Sequence, residues 1–275
     1  MTRLSDSENT PNQSSIRADA IVHDGNTVLR PLSPWSPTIH RFLEHLHQHG
    51  ITQVPRCVGI EGDQERLTFV AGETFNYPLT GAIARLDALR SAGALLRRIH
   101  DASVSFLSAS SLATDADERI WMLPPREPVE VICHGDFAPY NVALQQGQVV
   151  GVFDFDTAHP APRLWDLAYA IYCWAPFKTH EADRLGMLDD QITRAKAFCD
   201  SYGATQAQRV ALATAMVERL TALVDFMHAE AKSGNAQFAA NIADGHHLAY
   251  VADIDYIQRH AVAITQGILM TSDHE

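Results

Sequence analysis

The chain is poor in cysteine, short of basic residues and without a long uninterrupted apolar run. Its four cysteines, Cys57, Cys133, Cys173 and Cys199, are widely spaced along 275 residues and form no C-x-x-C pair. Reduced core thiols are therefore expected, which fits a cytoplasmic protein. Lysine and arginine total 21 against 33 aspartates and glutamates, a formal charge of −12. A nucleic-acid partner calls for the opposite sign, whereas an acidic surface favours a cationic ligand. The apolar stretch from Val210 to Met227 is interrupted by Glu218, Arg219 and Asp225, so nothing is expected to span a membrane. Met1 to Ser15 is polar and lacks the apolar core of a signal peptide.

What is present suits a soluble globular chain, large enough for one big domain or two lobes. Residues 1–17 read as a disordered tail. Ala18 to His23 and Thr27 to Arg30 flank Asp24-Gly25-Asn26 as a hairpin. Three prolines then precede a helix over Thr38 to His49, with Ile39, Phe42, Leu43 and Leu46 on one face. Val58 to Ile60 and Arg66 to Val70 form a second strand pair. Residues 18–70 thus make a small β-rich lobe, and residues 71–275 a larger one. In the larger lobe a helix is expected over Leu86 to His100 and a strand over Val129 to Cys133. A hairpin around Gln146-Gly147 joins Asn141–Leu144 to Val149–Phe153. Only helices are expected from Trp165 onward, the last of them running unbroken from about Ala236 to Ile268.

The chemistry is concentrated in His134-Gly135-Asp136-Phe137-Ala138-Pro139-Tyr140-Asn141 and in Phe153-Asp154-Phe155-Asp156. Asn141 follows Asp136 by five positions, and Asp154 follows Asn141 by thirteen. This D-x-x-x-x-N spacing, feeding into an aspartate at the end of an apolar strand, is that of a kinase catalytic loop. One carboxylate orients the acceptor hydroxyl, while an amide oxygen and a second carboxylate hold Mg²⁺ against the phosphates. The hairpin brings Asn141 and Asp154 to the same end of two paired strands. Asp156 either assists the metal or solvates a loop, and His134 anchors the loop. His40, His45, His47 and His49 lack a completing carboxylate or cysteine set and read as a solvated helix face. Asp189, Asp190, Glu218, Asp225, Glu230, Asp253 and Asp255 read as surface groups.

In these motifs, with Asp166-Leu167-Ala168 following in order, the chain resembles the aminoglycoside phosphotransferase and choline kinase group over residues 18–270. The resemblance implies a protein-kinase-like α+β fold of two lobes, a small β-rich N-lobe and a large, mainly helical C-lobe. It implies Asp136 as the catalytic aspartate, Asn141 and Asp154 as Mg²⁺ ligands, and Asp166 as a support of the catalytic loop. Leu67, Thr68, Phe69 and Val70 resemble the hinge whose backbone receives the nucleotide base. Where the family carries a phosphate-binding lysine this chain has Arg30, and His40 stands where the lysine's glutamate partner belongs. Glu44, one turn further on, is the nearby substitute, and Ser14-Ser15 stands in for the Gly-rich turn.

The expected function is transfer of a phosphoryl group from ATP or GTP, with Mg²⁺, to a hydroxyl of a small molecule. An aminoglycoside-like, polyhydroxylated cationic acceptor fits the resemblance and the acidity, and antibiotic resistance would follow; a primary-metabolite acceptor fits nearly as well. A non-catalytic, kinase-like nucleotide-binding protein is one alternative, since the usual lysine, glutamate and Gly-rich turn are missing. Another is a haloacid-dehalogenase-type phosphatase, because Asp154-Phe155-Asp156-Thr157 after an apolar strand also matches D-x-D-x-T, with Asp154 as nucleophile.

Overall fold

The computed structural model describes residues 21–110 and 119–270. The expected tail 1–17, the Ser14-Ser15 turn and the first residues of the expected opening strand lie outside the described residues. The N-terminal region is a four-stranded antiparallel sheet beside one helix. Its strands are β1 (Val22–Asp24), β2 (Thr27–Pro31), β3 (Cys57–Glu61) and β4 (Gln64–Thr68), in the order β1-β2-β4-β3. Both hairpins turn where Gly25 and Gly62 interrupt the strand pattern. The register sets Arg30 opposite Glu65, and this pairing shapes the site below.

Helix α1 (Ser36–Gln48) starts ahead of the expected Thr38 because Pro37 lies in its first turn. A proline there loses no hydrogen bond, and its fixed φ suits the helix start. Ile39, Phe42, Leu43 and Leu46 are buried, as their spacing requires. The neighbouring histidines are bonded rather than merely solvated. The His45 ring meets Ala102 O and Ser105 Oγ, His47 meets Val54 O, and His40 reaches Glu65.

The C-terminal region is mainly helical. It comprises α2 (Leu86–Ser110), α3 (Arg163–Trp174), α4 (Leu188–Tyr202), α5 (Gln206–Lys232), α6 (Ala236–Ala243) and α7 (His246–Leu269). Every residue of α3 from Asp166 to Trp174 is buried, the signature of a helix enclosed on all sides. Helix α5 begins with a capping box in which Thr205 and Gln208 satisfy each other's backbone N–H groups. The expected single C-terminal helix is divided, because Gly245 adopts φ +78° between α6 and α7. Among the described residues no helix is long and apolar enough to cross a membrane, and all four cysteines are free thiols.

Four short strands complete the fold: β5 (Val131–Cys133), β6 (Val142–Gln145), β7 (Gln148–Val152) and β8 (His159–Ala161). β8 was not expected from the sequence, since it is three residues long and contains Pro160. It forms only by pairing with β5. β6 and β7 form a two-stranded antiparallel pair, bridged at Leu144 by Glu73. Asp154 therefore follows a two-stranded hairpin, not a central strand of a parallel sheet, and the phosphatase alternative falls on that ground.

Candidate active site

A cleft of about 470 Å³ opens between the sheet and the helical region. Val28, Leu43, Leu67 and Phe69 give it an apolar wall; Asp136, Asn141, Asp154 and Asp156 line its polar end. The β6–β7 hairpin sets the two ends of that polar group. Val142 pairs with Val152, and Phe153 N–H donates to Asn141 O at 3.0 Å, so Asn141 and Asp154 emerge side by side. Asp154 has φ +64°. Aspartate tolerates that left-handed conformation better than most side chains, and it aims the carboxylate away from the strand direction.

Asp136 lies on the loop between β5 and the 3-10 turn Pro139–Asn141. Its carboxylate accepts Tyr140 Oη at 2.6 Å and Asn141 Nδ2 at 2.9 Å; Asn141 Nδ2 also reaches Asp136 O at 3.0 Å. Burial pushes the Asp136 carboxyl up to about 6, although the Tyr140 bond, the Arg219 charge and the Asn141 bond pull the other way. Because the Asn141 nitrogen is tied to Asp136, its amide oxygen is the atom left for a ligand.

The loop is held from behind by Asp166 at the start of α3. Its fully buried carboxylate accepts His134 N–H at 2.7 Å, Gly135 N–H at 3.0 Å and His100 Nε2 at 3.0 Å. Burial alone would raise its pKa, but the bond and charge of His100, with His134, hold it at about 2. His100, Cys133 and Asp166 lie close enough to form a candidate metal cluster. The bonds just described instead make Asp166 the anchor of the loop. Gly135 has φ +83°, and a Cβ there would meet Thr157 O at 2.4 Å, so only glycine fits. Arg219 of α5 closes the other side, donating to Gly135 O at 2.8 Å and lying over the Tyr169 ring. His134 accepts the Asp136 amide on Nδ1 and meets Phe153 O through Nε2. That pattern fixes a neutral ring, and burial lowers its pKa.

Arg30 reaches the cleft from β2 but is bracketed by carboxylates. Nε donates to Glu65 at 2.6 Å, Nη2 lies 2.9 Å from Asp156, and Nη1 is 3.7 Å from Asp154. Burial works against the guanidinium charge, but Asp156, Glu65 and Asp154 outweigh it. Asp156 is thus an ion-pair partner of Arg30. The expectation that Glu44 stands in for the missing glutamate is corrected: Glu44 pairs with Arg56 at the surface. Glu65, across the sheet on β4 and fully buried, takes that place and also binds the His40 ring. One signal in the sequence marks Glu65, because it shares a strand face with the buried Leu67. Asp253 likewise is not a surface group; it is 3 % exposed, on the α7 stripe with Ile257 and Ile264.

Leu67, Thr68, Phe69 and Val70, the residues expected as a hinge, all line the cleft. Thr68 N–H and Phe69 N–H are already used within the sheet, on Arg56 O and Asn26 O. Tyr140, Arg219 and Glu65 surround the candidate residues but carry no expectation from the sequence. Glu65 and Arg219 act through Arg30 and Gly135, far along the chain, whereas Tyr140 bonds Asp136 only four positions away, inside the catalytic-loop motif, where it was legible.

A family model for the phosphotransferase enzyme family matches residues 107–212, which hold the whole Asp136-to-Asp166 array. The trifolitoxin immunity protein of Rhizobium leguminosarum bv. trifolii is 31% identical over 198 residues, spanning 69% of this chain and 72% of the relative. An aminoglycoside 3'-phosphotransferase of Escherichia coli is 29% identical over 132 residues, 37% of this chain and 49% of the relative. Among solved structures, a choline/ethanolamine kinase family protein from Mesorhizobium loti superposes with a TM-score of 0.55. It is 15% identical and covers 90% of this chain and 89% of its own. That likeness bears out the protein-kinase-like fold.

Proposed function

Because the chain belongs to the phosphotransferase enzyme family, we propose that it moves the terminal phosphoryl group of ATP to a hydroxyl of a small molecule. The observation that carries this reading is Asp136 at the polar end of the cleft, with Asn141 and Asp154 beside it. Asp136 would accept a hydrogen bond from the acceptor hydroxyl and take its proton late, as the acceptor oxygen bonds to phosphorus and ADP leaves. A carboxyl near 6 is ionised at neutral pH and basic enough for that transfer.

The apolar wall of Val28, Leu67 and Phe69 suits the flat face of a nucleobase, with the Leu67–Val70 backbone along its edge. Residues 18–70 would then be the nucleotide-binding lobe and 71–275 the catalytic and acceptor-binding one. Arg30 would contact the phosphates from β2. The amide oxygen of Asn141 and the carboxylate of Asp154 are hard oxygen donors that fit Mg²⁺. When bound there, the ion would neutralise charge between the phosphates.

For the acceptor we favour an amine-bearing, polyhydroxylated compound of the aminoglycoside kind. Its support is the −12 formal charge and the Escherichia coli relative. The Rhizobium relative is named for immunity to a toxin, which fits protection against an antibacterial compound by phosphorylating it. Free cysteines suit action in the cytoplasm.

The test is ADP release by the purified protein with Mg²⁺ and ATP over aminoglycosides, macrolides, choline, homoserine and amino sugars, repeated with GTP. Acceptor-stimulated release that disappears in Asp136→Asn is the expected result. Nucleotide binding without release for any acceptor or donor would point to a binding-only protein.

A further inference from the structure

A wall of tyrosines leads from Asp136 to a lysine. Tyr140 Oη donates to Asp136 and lies 3.3 Å from Tyr169 Oη; the Tyr140 ring is 6.2 Å from that of Tyr77, and the Tyr169 ring 6.0 Å from that of Tyr172. At the far end, the Lys178 ammonium sits 4.6 Å from the Tyr172 ring centroid, 4.7 Å from Tyr77 and 5.9 Å from Tyr250. Rings that converge on one ammonium in this way form a cation site.

The cage has a polarity as well as a shape. Tyr172 Oη donates its proton to Asp253 Oδ2 at 2.7 Å, and Asp253 Oδ1 is fixed by Thr179 N–H and Oγ1 at 2.7 and 2.8 Å. Burial holds the Tyr172 phenol protonated by raising its pKa well above the ordinary value. Its oxygen therefore turns a lone pair toward the cage, and Lys178 Nζ donates to it at 3.1 Å. Lys178 is partly exposed on a flexible stem, and among the described residues it forms no ion pair. It can leave for water without stranding a carboxylate.

We propose that Tyr77, Tyr172 and Tyr250 form the amine subsite of the acceptor pocket, that Lys178 fills it as a tethered stand-in, and that a primary ammonium on the acceptor displaces it. The proposal rests on the reading that the space beside Asp136 receives the acceptor. A primary ammonium restores both the cation over the rings and the N–H donor to Tyr172. A quaternary ammonium restores only the first and leaves the buried Tyr172 oxygen without its donor. The self-occupied cage thus selects amino-sugar-like acceptors against choline-like ones, and Lys178 sets the threshold that any amine must exceed.

The experiment uses the full chain without nucleotide or turnover. n-Propylammonium, the piece removed by Lys178→Ala, and n-propyltrimethylammonium are titrated by NMR into wild type and Lys178→Ala. The expected result is n-propylammonium binding about tenfold tighter in Lys178→Ala than in wild type, and about tenfold tighter than its quaternary analogue. Tyr172→Phe added to Lys178→Ala should erase the preference for the primary amine while thermal melting shows the protein folded. Equal n-propylammonium affinity in wild type and Lys178→Ala would overturn the stand-in role; a quaternary probe bound as tightly as the primary one would overturn the selectivity. Since no phosphoryl transfer is read, an inactive protein that still shows these affinities would sink the kinase reading alone.

Discussion

Asp136 and Asp166 serve the same buried loop, yet the protein drives their carboxyls in opposite directions, to about 6 and about 2. Burial pushes both upward. The difference lies in how fully each charge is compensated. Asp166 receives two backbone N–H groups, which cannot turn away, and the buried His100 ring. Asp136 receives one phenol and one side-chain amide, and its remaining lone pairs face a cleft. A carboxylate satisfied by fixed donors is a structural anchor; one left partly unsatisfied keeps the basicity that proton transfer needs. The contrast separates the two aspartates by environment, where residue type alone cannot.

The comparison breaks most visibly if the two are neutralised in turn. Asp136→Asn should lower phosphoryl-transfer turnover on the order of a thousandfold, with nucleotide affinity by titration little changed. The raised pKa of Asp136 means that the folded state holds its proton more firmly than the unfolded chain. Ionisation above about pH 6 therefore costs stability, and Asp136→Asn should melt no lower than wild type at neutral pH. A clear drop in melting temperature would make Asp136 a structural residue. Asp166→Ala should do the reverse. It leaves the His134 and Gly135 amides and the buried His100 without their partner, at a cost of about 3 kcal/mol or more in urea unfolding. Equal stability losses for the two variants would erase the distinction.

Much of this contrast was visible in the sequence at one end only. The β6–β7 hairpin is a local object: Gln146 and Gly147 both take positive φ, and apolar strands flank them. Its consequence, Asn141 beside Asp154, follows from short-range pattern alone. The supports come from elsewhere. Asp166 is reached by His100 from α2, Gly135 O by Arg219 from α5, and Arg30 by Glu65 across the sheet. No local periodicity names such partners. A weaker signal does exist, in that Glu65, Arg219 and Asp253 each interrupt an otherwise apolar face of their own element. A charged residue at a buried register position requires a partner, although the sequence does not say which. β8 is invisible for the same reason, being three residues that become a strand only against β5.

A smaller effect sharpens the anchor side of the comparison. The folded-state pKa of Asp166, about 2, lies below the ordinary carboxyl value. Its ionised form therefore stabilises the fold above about pH 4, and that contribution fades as pH falls toward 2. It amounts to on the order of 2 kcal/mol. Urea unfolding from pH 5 down to pH 2 should show wild type losing this increment and Asp166→Asn showing a flatter profile. Parallel profiles would mean that Asp166 is not held ionised by its donors.

The smallest effect probes Asp136 as the proposed base. If Asp136 is the base, the acid limb of kcat/KM falls near its carboxyl pKa of about 6, with activity lost as pH drops through it. The Tyr140 phenol bond favours the ionised form, so Tyr140→Phe should raise that pKa and move the limb to higher pH. Tyr169→Phe provides the control and should move the limb less, because the Tyr169 phenol lies against Tyr140 Oη, at 3.3 Å, and makes no hydrogen bond to Asp136 itself. A limb that stays in place in Tyr140→Phe would mean that the phenol does not tune Asp136, and burial alone would then carry its elevated basicity.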